Sequence, residues 1–135
     1  FLATGVFALM TALSGLIGGA LGDWLFKKTP RGRLIVALAG IVGLMIFFTL
    51  VLNTPPENFT QFLLMQVFAG LFWSFEWPNA VSTVQDITEP EVRSTAHSII
   101  GVAETIGSAL APLLAGVLAM GSSLKNAMQI ITLSA

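Results

Sequence analysis

The sequence has no cysteine and no tyrosine, a single histidine, and charged residues at only 10% of its positions. Without cysteine there is neither a disulfide nor a thiolate metal site, and the redox compartment leaves no trace in the chain. His97 has no second metal ligand near it in sequence, so it reads as a packed or interfacial side chain and no metal or cofactor is expected. The scarcity of charge excludes more. A soluble domain carries about 25% charged residues, and a chain with less than half of that has too little polar surface to cover a globule in water. The formal net charge is −1 and no basic face exists outside one turn, which excludes a nucleic-acid partner. No nucleophile elbow, His-Glu metal spacing or phosphate-binding loop is present, so no enzyme is expected.

What is present is apolar sequence: 55% hydrophobic residues and a mean hydropathy of +0.86 over 135 residues. A membrane span needs about 20 apolar residues. The runs predict an all-α polytopic membrane protein with helices over 1–22, 34–52, 59–85 and 89–120, four full spans, and the start of a fifth over 127–135. The chain begins at Phe1 inside one apolar run and stops inside another, so a piece of a longer membrane protein is expected.

The turn between the first two runs organises the rest. Lys27, Lys28, Arg31 and Arg33 are four of the six basic residues in the chain. Cationic loops are retained on the cytoplasmic side, which places this turn and the later 86–93 turn inside. The 53–58 and 121–126 turns then lie outside. Asn58-Phe59-Thr60 fits a glycosylation sequon but falls at the membrane boundary and reads as chance.

Small residues at four-residue spacing mark the first helix (Ala8 and Ala12, Gly15 and Gly19, Gly18 and Gly22), a pattern that lets helices approach closely in lipid. The second helix is apolar all round and is expected on the outside of the bundle, with no chemistry. The third is unusual: it carries Gln66, Trp73, Ser74, Glu76, Trp77, Pro78, Asn79, Ser82 and Thr83. Pro78 removes a donor and crowds the Ser74 carbonyl, predicting a kink or opening between them that must be covered by protein or water. Thr88 and Glu91 have capping-box spacing with Pro90 between them, which predicts a helix start near Glu89. The fourth helix presents Ala103, Gly107, Ala111, Ala115 and Ala119 on one face, a second stripe of Arg93, His97, Gly101, Glu104 and Ser108, and a kink at Pro112.

Three stretches, in order, resemble a known family. Gly19-Ala20-Leu21-Gly22-Asp23-Trp24-Leu25-Phe26-Lys27-Lys28 is similar to the signature loop G-x-x-x-D-[RK]-x-G-[RK]-[RK] of major facilitator superfamily transporters. Gly19, Asp23, Lys27 and Lys28 match, while Trp24 and Phe26 replace a basic residue and a glycine. Pro90 to Ala96 resembles the family's P-x-x-R-[GS]-x-A helix entry, with Arg93 at the basic position. Gly107 to Gly116, with Pro112, resembles the small-residue, proline-kinked body of that helix. The resemblance covers nearly the whole chain and implies part of the C-terminal six-helix bundle, helices eight to twelve, of a Spinster-like or organic-anion-like branch. It also implies a gating role for the loop.

Asp23 is expected to face the N-terminus of the fourth helix and latch the inner gate, a contact worth about 0.3–1 kcal/mol when exposed. The bland reading is an ordinary interfacial carboxylate. Glu76 and Glu104 are the only carboxylates deep in predicted spans, where a charge is costly and faces protein or water. Three roles compete for them: proton coupling, best suited to Glu76; binding of a cationic solute with an aromatic face from Trp73 or Trp77; and structural hydrogen bonding, best suited to Glu104. Gln66 and Asn79 complete the candidate solute or proton set. Arg93 reads as snorkelling to headgroups or pairing with an inner acid.

The function expected is secondary active transport of a small organic solute by alternating access, with proton coupling a further expectation. The lipid bilayer and the remaining half of the transporter are its partners, in a plasma or inner membrane. The competing reading is a non-transporting assembly subunit built from small-faced helices.

Overall fold

The computed structural model describes residues 1–55, 57–121 and 123–134, with the side chains of 133 and 134 left aside. Pro56 and Ser122, within the two expected outer turns, and Ala135 lie outside the described residues. Every regular element among these residues is helical: α1 (Leu2–Phe26), α2 (Gly32–Asn53), α3 (Phe59–Trp73), α4 (Glu76–Ile87), a 3₁₀ turn (Pro90–Val92), α5 (Arg93–Gly121) and α6 (Leu124–Ser134). The chain divides into two compact units, 1–86 and 87–135, each described by itself. Leu2–Phe26, Gly32–Asn53 and Pro90–Gly121 are long and apolar enough to cross a membrane. The run over 59–85 also forms, but as two helices.

The division explains Pro78. The expected kink is a full break at Ser74-Phe75, so that Pro78 falls in the first turn of α4. A first turn has no use for the proline's missing donor, and its fixed φ suits the position. Breaking at Ser74-Phe75 thus removes the conflict that a continuous helix would carry at Ser74.

In the first unit, α1, α2 and α3 pack against one another through glycine. A Cβ on Gly18 would stand 2.9 Å from the Phe75 backbone, and one on Gly40 would stand 2.5 Å from the Phe75 Cβ. The Phe75 ring, 7% exposed, therefore plugs between two glycines, one on α1 and one on α2. Gly43 receives Phe72 in the same way. Phe47 stacks on Phe68 at 4.9 Å and Phe72 at 5.7 Å between centroids, tying α2 to α3. The second helix is apolar all round but divides by side-chain size: Val36, Ala37, Gly40 and Gly43 form a buried small-residue face, while Leu34, Ile35, Leu38, Val42 and Ile46 point away exposed. Uniform hydropathy concealed a difference in side-chain size.

The second unit opens differently from expectation. Glu89, not Thr88, is the N-cap; it makes no side-chain cap bond, and a 3₁₀ turn precedes α5. Pro90 enforces this, since the residue before proline is driven to extended backbone, as Glu89 is at φ −62°, ψ 147°. α5 runs through Pro112 to Gly121 and contains no buried residue. Its packing partner within the unit is α6.

Candidate functional site

The break between α3 and α4 opens a cleft of about 650 Å³ lined by Gly15, Leu44, Trp73, Ser74, Glu76, Trp77 and Pro78. Glu76, Trp73 and Trp77, singled out from the sequence as a coupling and solute set, are brought together here. Trp73 and Trp77 are 50% and 44% exposed, so both keep aromatic surface free for a ligand. Phe7 meets Trp73 edge-on at 5.5 Å, which fixes one of the two rings from α1. Glu76 is half-buried and is the first residue of α4. A carboxylate at that position faces the positive end of the helix dipole.

Two members of the expected set lie elsewhere. Gln66, two turns before Trp73, is half-buried on α3 and does not line the cleft. Asn79 is 2% exposed and its amide is spent inside the bundle. Its Nδ2 donates to the Gly18 carbonyl at 2.9 Å and to the Phe75 carbonyl at 2.7 Å. Gly22 leaves the room that the Asn79 side chain occupies, and Gly19 meets Pro78 at ordinary contact, 3.7 Å from an ideal Cβ. The structure thus makes Asn79 a junction between α1 and α4 rather than part of the cleft surface. Glu104 is exposed on α5, in the other unit.

The far end of the first unit holds a charge cluster. Arg33 donates from Nε and Nη2 to Asp23 Oδ1, at 3.1 and 2.8 Å, and from Nη1 to Asp86 Oδ2. The reason lies in the helix ends. α1 continues to Phe26, four residues past the expected end, because no breaker precedes Thr29-Pro30; Asp23 therefore stands in its last turn. Asp86 stands in the last turn of α4, and Arg33 in the first turn of α2. Each charge faces the unfavourable pole of its own helix, and the three satisfy one another. Within the first unit, the Asp23 carboxylate is held by Arg33. Through Arg33, the cationic turn and the Asp86 end of the broken helix meet within the first unit.

The two departures from the signature loop acquire a purpose. The Lys28 ammonium lies 3.7 Å from the Trp24 ring centre, and the Arg33 guanidinium 4.3 Å from that of Phe26. Both aromatic replacements sit under cations. Lys27 and Arg31 are exposed beside them. Arg93, in the second unit, reaches the Thr88 carbonyl from Nε at 3.3 Å rather than an acid. An ideal Cβ on Gly107 or Gly116 meets nothing within 4 Å, so neither glycine is a point of close packing within its own unit.

Sequence reasoning passed over Ser14, Asp86 and the pairing of Arg33. Ser14 is fully buried and accepts the Ser74 N–H at 3.0 Å. A signal existed, since Ser14, Gly18 and Gly22 repeat at four-residue spacing and are the three buried residues of α1. Asp86 was legible only as a loop acid, because the reach of Arg33 across two helix ends has no sequence signature.

Among known proteins, the family model described as Major Facilitator Superfamily matches residues 2–135. No curated protein and no solved structure gives a match. The match spans the broken helix, the Asp-Arg-Asp cluster and the long proline-bearing helix together, and with it the chain belongs to the Major Facilitator Superfamily, a multi-pass membrane transporter family.

Proposed function

We propose that this chain is part of the C-terminal half of a secondary active transporter that moves a small organic solute by alternating access, two halves rocking about a midplane site. The observation that carries the reading is the cleft at the α3–α4 break, which Glu76 lines together with Trp73 and Trp77. An ionisable group within a span marks a pathway for ions, protons or solute. Glu76 is assigned as the proton-coupling group. It exchanges its proton as the cleft opens to one side and then to the other, and the tryptophan faces hold the solute against it. The Asp23–Arg33–Asp86 cluster is assigned as a latch at the inner end, closed when that side of the cleft is shut.

The test is uptake by the full-length protein in liposomes, across a panel of organic solutes, with and without an imposed pH gradient. Glu76→Gln is expected to lose gradient-driven accumulation. Accumulation that still follows the gradient in this variant refutes the coupling role. One observation favours a second reading: two half-exposed indole rings line the same cleft as a single carboxylate, a combination suited to binding a cation over an aromatic face. In that case the solute itself is cationic, and Glu76→Gln weakens its binding at every pH.

A further inference from the structure

We infer that Ser14 and Asn79 are positioning residues for Glu76: they hold the α3–α4 break open against α1 and so fix the direction in which Glu76 faces the cleft. The inference rests on the proposed use of the cleft. It begins with one displaced hydrogen bond. In an uninterrupted helix the Ser74 N–H donates to the carbonyl of Gly70. Here it lies 3.0 Å from the Ser14 hydroxyl oxygen, on another helix. Five residues further on, Asn79 bonds the Gly18 carbonyl of α1 and the Phe75 carbonyl at the start of its own helix. Thr83 Oγ1 in turn donates to the Asn79 carbonyl at 2.7 Å, bracing that turn.

Glu76 lies between these two attachments in sequence, and their anchor points on α1, Ser14 and Gly18, are one turn apart. The intervening Phe75 ring is wedged between Gly18 and Gly40. The backbone of Glu76 is therefore pinned on both sides. Neither Ser14 nor Asn79 lines the cleft, and both are buried to within 2%, so any effect they have on the cleft passes through the residues they hold. Polar groups left unpaired in such surroundings are costly. Without its acceptor, the Ser74 N–H is driven back toward the Gly70 carbonyl. Rewinding by one residue turns Glu76 by about 100° around the helix axis, off the cleft wall.

The experiment uses the full-length transporter in liposomes, freed of native cysteines, with Glu76→Cys as the reporter and a small water-soluble methanethiosulfonate as the probe. Ser14→Ala or Asn79→Asp is then added. Asn79→Asp keeps the volume but sets an acceptor against two carbonyls. Labelling at position 76 is expected to slow by up to about five-fold in Ser14→Ala, the population change that one net hydrogen bond supports, and by more in Asn79→Asp. Variants that elute as folded protein and label at the parent rate overturn the inference. Should Asn79→Asp not fold, Ser14→Ala, which removes a single oxygen, decides alone. Slowed labelling beside unchanged gradient-driven accumulation in Glu76→Gln supports the positioning role and refutes only the coupling role. Unchanged labelling beside lost accumulation does the reverse.

Discussion

Arg33 shows how three residues that are individually misplaced become mutually satisfied. Its side chain is 16% exposed, against 61% for Asp23 and 42% for Asp86, so the cation is the shielded member and the acids are partly solvated. Asp23→Asn or Asp86→Asn leaves Arg33 one carboxylate, and each is expected to cost about 0.2–1 kcal/mol, the range for exposed pairs. Arg33→Gln leaves two acids together at the negative ends of two helices and is expected to cost more than either. Thermal unfolding of the three variants in detergent orders them; three equal losses contradict the shared network. The cost of each Asn variant shrinks in high salt, because exposed charges are screened. As a latch that must also open, the cluster gives a second expectation: Asp23→Asn changes transport rate while the folded fraction stays near wild type. Unchanged transport removes the latch.

At the scale of elements, glycine spacing decides which faces meet. Gly18→Leu forces side-chain atoms onto the Phe75 backbone, where an ideal Cβ already stands 2.9 Å away. Overpacking of this kind costs about 1–3 kcal/mol. Gly5, on the same helix, has nothing within 4 Å, and Gly5→Ala is expected to be neutral or to stabilise by about 0.5–1 kcal/mol through helix propensity. Melting temperatures in one detergent separate the two, and equal losses would contradict the packing account. The same elements show what the sequence made legible. The helices, the cationic turn and the disturbance near Pro78 follow from local chemistry: apolar length, charge and a missing donor. The break at Ser74-Phe75, the small face of α2 and the Ser14 contact depend on which helix lies opposite, and hydropathy is blind to that. That Glu76 and the two tryptophans share one cleft was legible in part, because polar groups stand out in an apolar run. Asn79 stood out for the same reason, but burial gave it another task.

On the largest scale described, that of the first unit, the apolar outward faces and the polar features between its helices are two sides of one arrangement. Leucine, isoleucine and valine cover the outward faces of α1 and α2, as a lipid solvent demands. The inward faces hold a broken helix, a carboxylate and a three-charge cluster at one end. Membrane helices tolerate irregular backbone only where protein or water covers it, and here α1 holds the break at Ser14 and also lines the cleft beside it through Gly15. A transporter built this way concentrates its chemistry where the helix is interrupted. The most direct measurement compares two modes in the full-length protein carrying Glu76→Gln: accumulation driven by a pH gradient, and exchange of labelled for unlabelled solute at equilibrium. The account predicts that accumulation is lost while exchange persists, because rocking between the two open states no longer requires a proton to leave. Accumulation and exchange both at wild-type levels would contradict it.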